Sequence, residues 1–145
     1  MTTIEVRRRL PASPHRVWQA FTDPAQFVAW FWPPRLEAIG DLDVRVGGLW
    51  RIASEVAGMG VSGEFERVDE PVRLAFTWRW DGDSARTLVT VGLSEDPAGG
   101  TALTVLHGDF ATDDGAADHV QGWNDCLDRL ESALRPDGDY LQTFV

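Results

Sequence analysis

Two histidines near the most strongly periodic stretch of the chain are the residues best suited to proton transfer. His107 alternates with Leu103 and Val105, so it is predicted to point inward from a strand. An inward histidine can orient a ligand's carbonyl or hydroxyl group, or act as a general acid or base. We favour the alternative, a core histidine bonded to its neighbours. His119, four residues before Trp123, is expected to face solvent or to cap a helix, with a cavity mouth as the alternative.

An acidic group lies in the same region and raises the question of a metal site. Asp109, Asp113, Asp114 and Asp118 precede or accompany His119, but their spacing matches no established metal-binding motif. Negative charge in the first turn of a helix is what the helix dipole favours. The chain also lacks a Ser-His-Asp signature, a glycine-rich phosphate loop and a nucleophile elbow. We therefore predict no metal, no cofactor and no catalytic residue.

Composition limits the classes of protein and partner. The 145 residues fit one domain, residues 1–145, and the 7 Trp and 7 Phe against 1 Tyr indicate an apolar interior or cavity. A net charge of −10 disfavours nucleic acid and anionic membranes as partners. The single cysteine, Cys126, is predicted to be a partly buried filler. With no signal-type or membrane-spanning apolar run, a cytoplasmic protein is expected.

The long helix that carries His119 is predicted over residues 114–134. Its apolar residues recur at intervals of three and four and form one apolar stripe: Val120, Trp123, Leu127, Leu130 and Leu134. Pro136 cannot continue the helix. Gly122 lies inside it at a cost in stability, and we predict that a neighbouring element packs tightly there, with room for a ligand as the alternative.

The rest of the chain supplies the apolar partner for this helix. Residues 3–10 alternate as a strand, and Ser13-Pro14 and Asp23-Pro24 each open a short helix. From residue 41 the pattern has a period of two with turns about every ten residues, which predicts an antiparallel meander. The fold class is α+β: a curved antiparallel sheet of six or seven strands wrapping the C-terminal helix. One or two of the residues 30–32 are predicted to rim a cavity mouth or a homodimer contact.

Several segments resemble one known family. Residues 13–33 are similar to its opening signature, and Val46-Gly47-Gly48 with Trp50-Arg51 to its turn motif. Residues 63–80, 101–110 and 119–134 are similar to its later strands and its closing helix. The chain thus resembles the activator-of-Hsp90-ATPase homologue-like proteins, a branch of the SRPBCC superfamily (START-like and Bet v-like). The resemblance implies a helix-grip fold with a cavity for small apolar molecules between sheet and helix.

A cavity in that place would be lined by the inward residues of the sheet and helix. The predicted ligand-binding residues are Trp30, Trp50, Phe65, Phe76, Trp78, Val89, Val91, Val105, His107, His119, Trp123 and Leu127. The leading hypothesis is a non-catalytic protein that binds a small apolar or amphipathic ligand. One alternative is an aromatase/cyclase-like enzyme in which His107 or Asp109 shuttles protons. Another is a partner of an Hsp90-type chaperone, or a stress-response interaction module.

Overall fold

The fold was analysed on a computed structural model that describes residues 1–135. The elements follow in the order β1 (Thr2–Leu10), α1 (Pro14–Thr22), α2 (Pro24–Phe31), a 3-10 turn (Pro34–Leu36), β2 (Ile39–Leu42), β3 (Leu49–Ser54), β4 (Met59–Asp69), β5 (Arg73–Trp80), β6 (Thr87–Glu95), β7 (Thr101–Phe110) and α3 (Asp113–Leu134). The strands form one antiparallel sheet in the order β1-β7-β6-β5-β4-β3-β2. The predicted α+β, helix-grip architecture is confirmed, and of the six or seven strands predicted the sheet has seven. For residues 137–145 the sequence predicts fraying or packing on a neighbour; these residues lie outside the described part.

Side-chain caps fix where the three helices begin. The Ser13 hydroxyl accepts a hydrogen bond from the Arg16 amide, and the Asp23 carboxylate accepts one from the Gln26 amide. Thr112 caps α3 in the same way. Each cap satisfies one of the amides that the first turn of a helix leaves without a partner. The α1–α2 pair therefore starts where the Ser-Pro and Asp-Pro signals predict.

The inner face of α3 is rotated relative to the predicted apolar stripe. Val120 is 37% exposed, so the prediction of a buried side chain there is wrong. Cys126 is only 7% exposed and lies fully in the core, where Ala116 also contributes a buried side chain. The reason is α2: the Cys126 thiol donates to the Phe31 carbonyl at 2.9 Å, which draws that side of α3 inward. Val120 is left on the opposite margin of the buried face.

The aromatic end of α2 is buried more completely than predicted. Trp30, Phe31 and Trp32 are all buried, and the Trp30 indole donates to the Ala20 carbonyl of α1 at 2.8 Å. Arg129 of α3 donates from Nε to the Trp30 carbonyl and from Nη2 to the Phe31 carbonyl. These bonds satisfy carbonyls that the last turn of α2 would leave unpaired. The helices α1, α2 and α3 therefore form one packed unit at this end of the sheet.

Candidate functional site

The space between the sheet and the two short helices is filled by side chains. Trp50, Phe65 and Phe76 surround a void of about 10 Å³, which is no larger than one water molecule. The rings of Trp50 and Phe76 are in edge contact, with centroids 5.2 Å apart. These three predicted ligand-binding residues therefore lie in a closed part of the core.

Five more of the predicted ligand-binding residues are buried in the same core. They are Trp30, Val89, Val91, Val105 and Leu127. None of them lines the open pocket described below. Their packing is what the structure shows, and their contact with a ligand stays a prediction.

An open pocket of about 390 Å³ lies beside this core, at the end of β5. We call it the aromatic pocket. Its walls are Phe31, Trp32, Pro33, Arg35, Leu36, Met59, Trp78, Trp80, Asp118, His119, Gly122, Trp123, Asp125, Cys126 and Arg129. Of the predicted ligand-binding residues it includes Trp78, His119 and Trp123. The pocket is thus bounded by α3 on one side and by the ends of α2, β4 and β5 on the other.

Gly122 is the residue through which the helix leaves this pocket open. A Cβ atom built at Gly122 would meet no heavy atom within 4 Å. The predicted tight packing against the helix is therefore wrong, and the alternative of free space is what the structure shows. The empty space beside Gly122 is the pocket itself. The sequence signals that point to this site are the glycine within the helix, His119 and residues 30–32.

His107 lies behind the pocket wall with both ring nitrogens bonded. The Trp123 indole donates to Nδ1 at 3.0 Å, and Nε2 lies 2.7 Å from the Thr87 hydroxyl. Because Thr87 in turn donates to the Trp78 carbonyl, the neutral ring carries its proton on Nε2. Burial, and secondarily the charge of His119, lowers the pKa of His107 to about 3. His107 is 0% exposed and is the satisfied core histidine that we favoured from the sequence.

His119 lies in the pocket wall, so the alternative position at a cavity mouth is the observed one. Its Nδ1 lies 2.8 Å from the Gly115 carbonyl of the preceding helical turn. Its Nε2 accepts a hydrogen bond from the Trp80 indole at 3.0 Å. A neutral His119 with its proton on Nδ1 satisfies both bonds. The histidine therefore fixes the orientation of the Trp80 ring.

Four charged residues line the aromatic pocket, and their charges balance. Arg35 and Arg129 oppose Asp118 and Asp125. Asp125 accepts from the Gln121 amide at 2.8 Å, and Arg129 is committed to the carbonyls of α2. The pocket therefore presents no net charge to a ligand.

Trp78 contributes an indole N–H without a partner. Its Nε1 is enclosed and makes no hydrogen bond within residues 1–135. A buried donor left in this state costs on the order of 1–3 kcal/mol. The Trp78 ring also lines the aromatic pocket. The unsatisfied Nε1 is nevertheless enclosed by protein, so the open space of the pocket does not reach it.

The other residues weighed from the sequence lie apart from this pocket. Asp109 is exposed on β7 and does not line it. Within residues 1–135 no three His, Cys, Asp or Glu side chains are placed to hold a metal ion. In the same part of the chain no helix is long and apolar enough to cross a membrane.

A larger cleft of about 800 Å³ lies at the start of β5, and residues 11–15, at the beginning of α1, contribute to its lining. It lacks the aromatic walls of the smaller pocket.

Sheet, helices and pocket together define a helix-grip protein of the SRPBCC, or START-like, class. The profile of one family in this class, described as Activator of Hsp90 ATPase homolog 1-like protein, matches residues 11–135. The chain belongs to this family, and the resemblance inferred from its motifs is confirmed.

Solved structures show the same fold. CalU16 from Micromonospora echinospora is 30% identical, with 93% of this chain and 77% of that chain covered and a TM-score of 0.73. DynU16, from the dynemicin biosynthetic locus, is 27% identical, with 91% and 46% covered and a TM-score of 0.76. MLL2253 from Mesorhizobium loti is 24% identical, with 92% and 96% covered and a TM-score of 0.80. No match was found among curated proteins.

Proposed function

We propose that this protein binds a small apolar or amphipathic molecule in the aromatic pocket without transforming it. The observation that carries the proposal is Gly122. A glycine inside a helix costs about 1 kcal/mol relative to alanine. No neighbour requires the missing side chain, since a Cβ there would meet nothing within 4 Å. The glycine therefore makes the helix less stable at the position where the pocket opens. A binding role explains this cost, because a side chain at Gly122 would occupy space in the pocket.

The walls of the pocket support the same proposal. Ligand sites are typically concave and mostly apolar, with a few polar groups that set orientation. The aromatic pocket combines the rings of Trp32, Trp80 and Trp123 with charged residues at its margin. Its volume of about 390 Å³ lies within the range usual for such sites.

The cyclase-like alternative receives less support from the geometry. That alternative gave proton transfer to His107 or Asp109. Both nitrogens of His107 are already bonded, and the residue lies behind Trp78 and Trp123. Asp109 lies outside the pocket. A reaction in the pocket would need another acid or base. The chaperone-partner alternative, the homodimer and the cytoplasmic location remain predictions.

The test is a pair of matched leucine substitutions on α3. Gly122→Leu places a side chain in the pocket, while Ala133→Leu adds the same side chain three turns further along, at an exposed position. A thermal-shift screen of lipophilic compounds is run on the wild type, and the affinities of its hits are measured by calorimetry for all three proteins. Ligand at a hundred times its Kd stabilises a protein by about 2.7 kcal/mol.

We expect the hits to raise the melting temperature of the wild type and of Ala133→Leu, and to lose most of their affinity for Gly122→Leu. Gly122→Leu should itself stay folded, because nothing obstructs the new side chain. Equal binding to all three proteins would place the ligand elsewhere. The absence of any hit would refute the binding function.

A further inference from the structure

We infer that the ligand of the aromatic pocket is a neutral molecule with a planar aromatic ring. This inference rests on the proposed binding function and adds the chemical class of the ligand. It follows from the arrangement of the indole rings, from the bonds that hold them in place and from the balance of charge in the pocket.

Two indoles in the pocket wall are parallel. The indoles of Trp32 and Trp80 stack on each other: their ring planes differ by 1°, and their centroids are 6.3 Å apart. A flat ring that stacks on one of them is therefore parallel to the other as well. Offset stacking on an aromatic face gives an attraction beyond the burial of apolar area. A saturated ring or an alkyl chain gains only the area term.

Hydrogen bonds hold two indoles of the wall, those of Trp80 and Trp123, in fixed orientations. Trp80 donates to His119, which is tied to the Gly115 carbonyl. Trp123 donates to the buried His107. Binding a rigid, flat ligand to walls already in position costs little conformational entropy. A flexible chain would lose rotamer freedom on binding and would find no adaptable surface on these rings.

The charges of the pocket select against an ionic ligand. Arg35 and Arg129 are matched by Asp118 and Asp125, so neither sign is favoured inside it. The net charge of −10 on the whole chain further disfavours anions. A hydroxyl or carbonyl oxygen on the ring adds no charge and is therefore compatible with this balanced environment.

The discriminating experiment compares 2-naphthol with decahydro-2-naphthol by calorimetry. The two compounds share one carbon skeleton and one hydroxyl group and differ in planarity and aromaticity. We expect 2-naphthol to bind about tenfold more tightly to the wild type. Naphthalene-2-carboxylate, which is charged, should bind more weakly than 2-naphthol.

Trp80→Leu removes one of the parallel rings at a half-buried position, and Trp80→Phe keeps an aromatic face. The preference for 2-naphthol should fall towards unity in Trp80→Leu and persist in part in Trp80→Phe, with circular dichroism confirming that both variants fold. Equal affinity of the wild type for both compounds would overturn this inference and leave the proposed function standing. If lipophilic compounds of every kind fail to bind, both are refuted.

Discussion

The burial of His107 makes the stability of the protein depend on pH in a defined window. Burial lowers the pKa of His107 from 6.5 to about 3. At a pH between these two values His107 is protonated in the unfolded chain and neutral in the folded protein. Between these two values the free energy of unfolding decreases as pH falls. Above pH 6.5 the ring is neutral in both states and the penalty is absent. The full penalty is reached only near pH 3.

The magnitude follows from the size of the shift. Each pH unit between the two pKa values changes the free energy of unfolding by about 1.4 kcal/mol. At pH 5 the His107 contribution to this free energy is therefore about 2 kcal/mol lower than at pH 7.5. A loss of that size lowers the melting temperature by roughly 4–8 °C for a domain of this size.

The assay is urea unfolding of the wild type and of His107→Gln between pH 7.5 and pH 5. Glutamine can still accept from Trp123 and donate towards Thr87, but it does not titrate. Other groups titrate in both proteins, so the difference between the two curves isolates His107. The wild type should lose about 2 kcal/mol more than the variant over this range. His15→Gln, at an exposed histidine, should follow the wild type. Parallel curves for the wild type and His107→Gln would refute the reasoning.

Three further predictions concern α3. Gly122→Ala should raise the free energy of unfolding by about 1 kcal/mol and the melting temperature by about 2–4 °C, because the new methyl group meets no neighbour; a loss of stability would contradict the open space seen there. Leu127→Ala should lower the free energy of unfolding in urea by about 2–5 kcal/mol, while Val120→Ala should change it by no more than about 0.5 kcal/mol. Equal effects of the two substitutions would mean that Val120 is buried, as the apolar stripe predicts. Burial raises the pKa of the Cys126 thiol to about 12. A chromogenic disulfide reagent should therefore fail to label this thiol in the native protein at pH 8 and should label it promptly in urea. Rapid labelling of the native protein would contradict the burial of Cys126.

Much of the fold could be predicted because periodicity and caps are local properties of a sequence. The long helix was predicted over residues 114–134 and is observed over Asp113–Leu134. The Ser13 and Asp23 caps start both short helices as predicted. The prediction fails at Val120, which is exposed. The spacing of apolar residues along α3 contains no information about the hydrogen bond between Cys126 and Phe31 of α2, which sets the side of α3 that is buried.

The position of the pocket could not be predicted in the same way. The alternation of apolar and polar residues predicts which side of β5 faces inward, but it does not predict whether the rings of Trp50 and Phe76 are in contact. They do meet, and the free volume lies instead at the end of the strand. The sequence singles out Trp32 only as one of residues 30–32, of which one or two are predicted to rim a cavity mouth or a homodimer contact, because the contacts that bury it come from distant parts of the chain. Trp80, opposite it, was given no site role.

The pairing of the first strand with the last has a consequence for biosynthesis. Leu10 of β1 lies opposite Thr101 of β7, so β1 leaves the ribosome long before its partner exists. During that interval both edges of β1 are free, including the one that β7 later covers, and other nascent chains can join them. Arg7 and Arg9, exposed on this strand, make such pairing between identical copies electrostatically unfavourable. We therefore expect these arginines to reduce aggregation of the growing polypeptide before the sheet is complete.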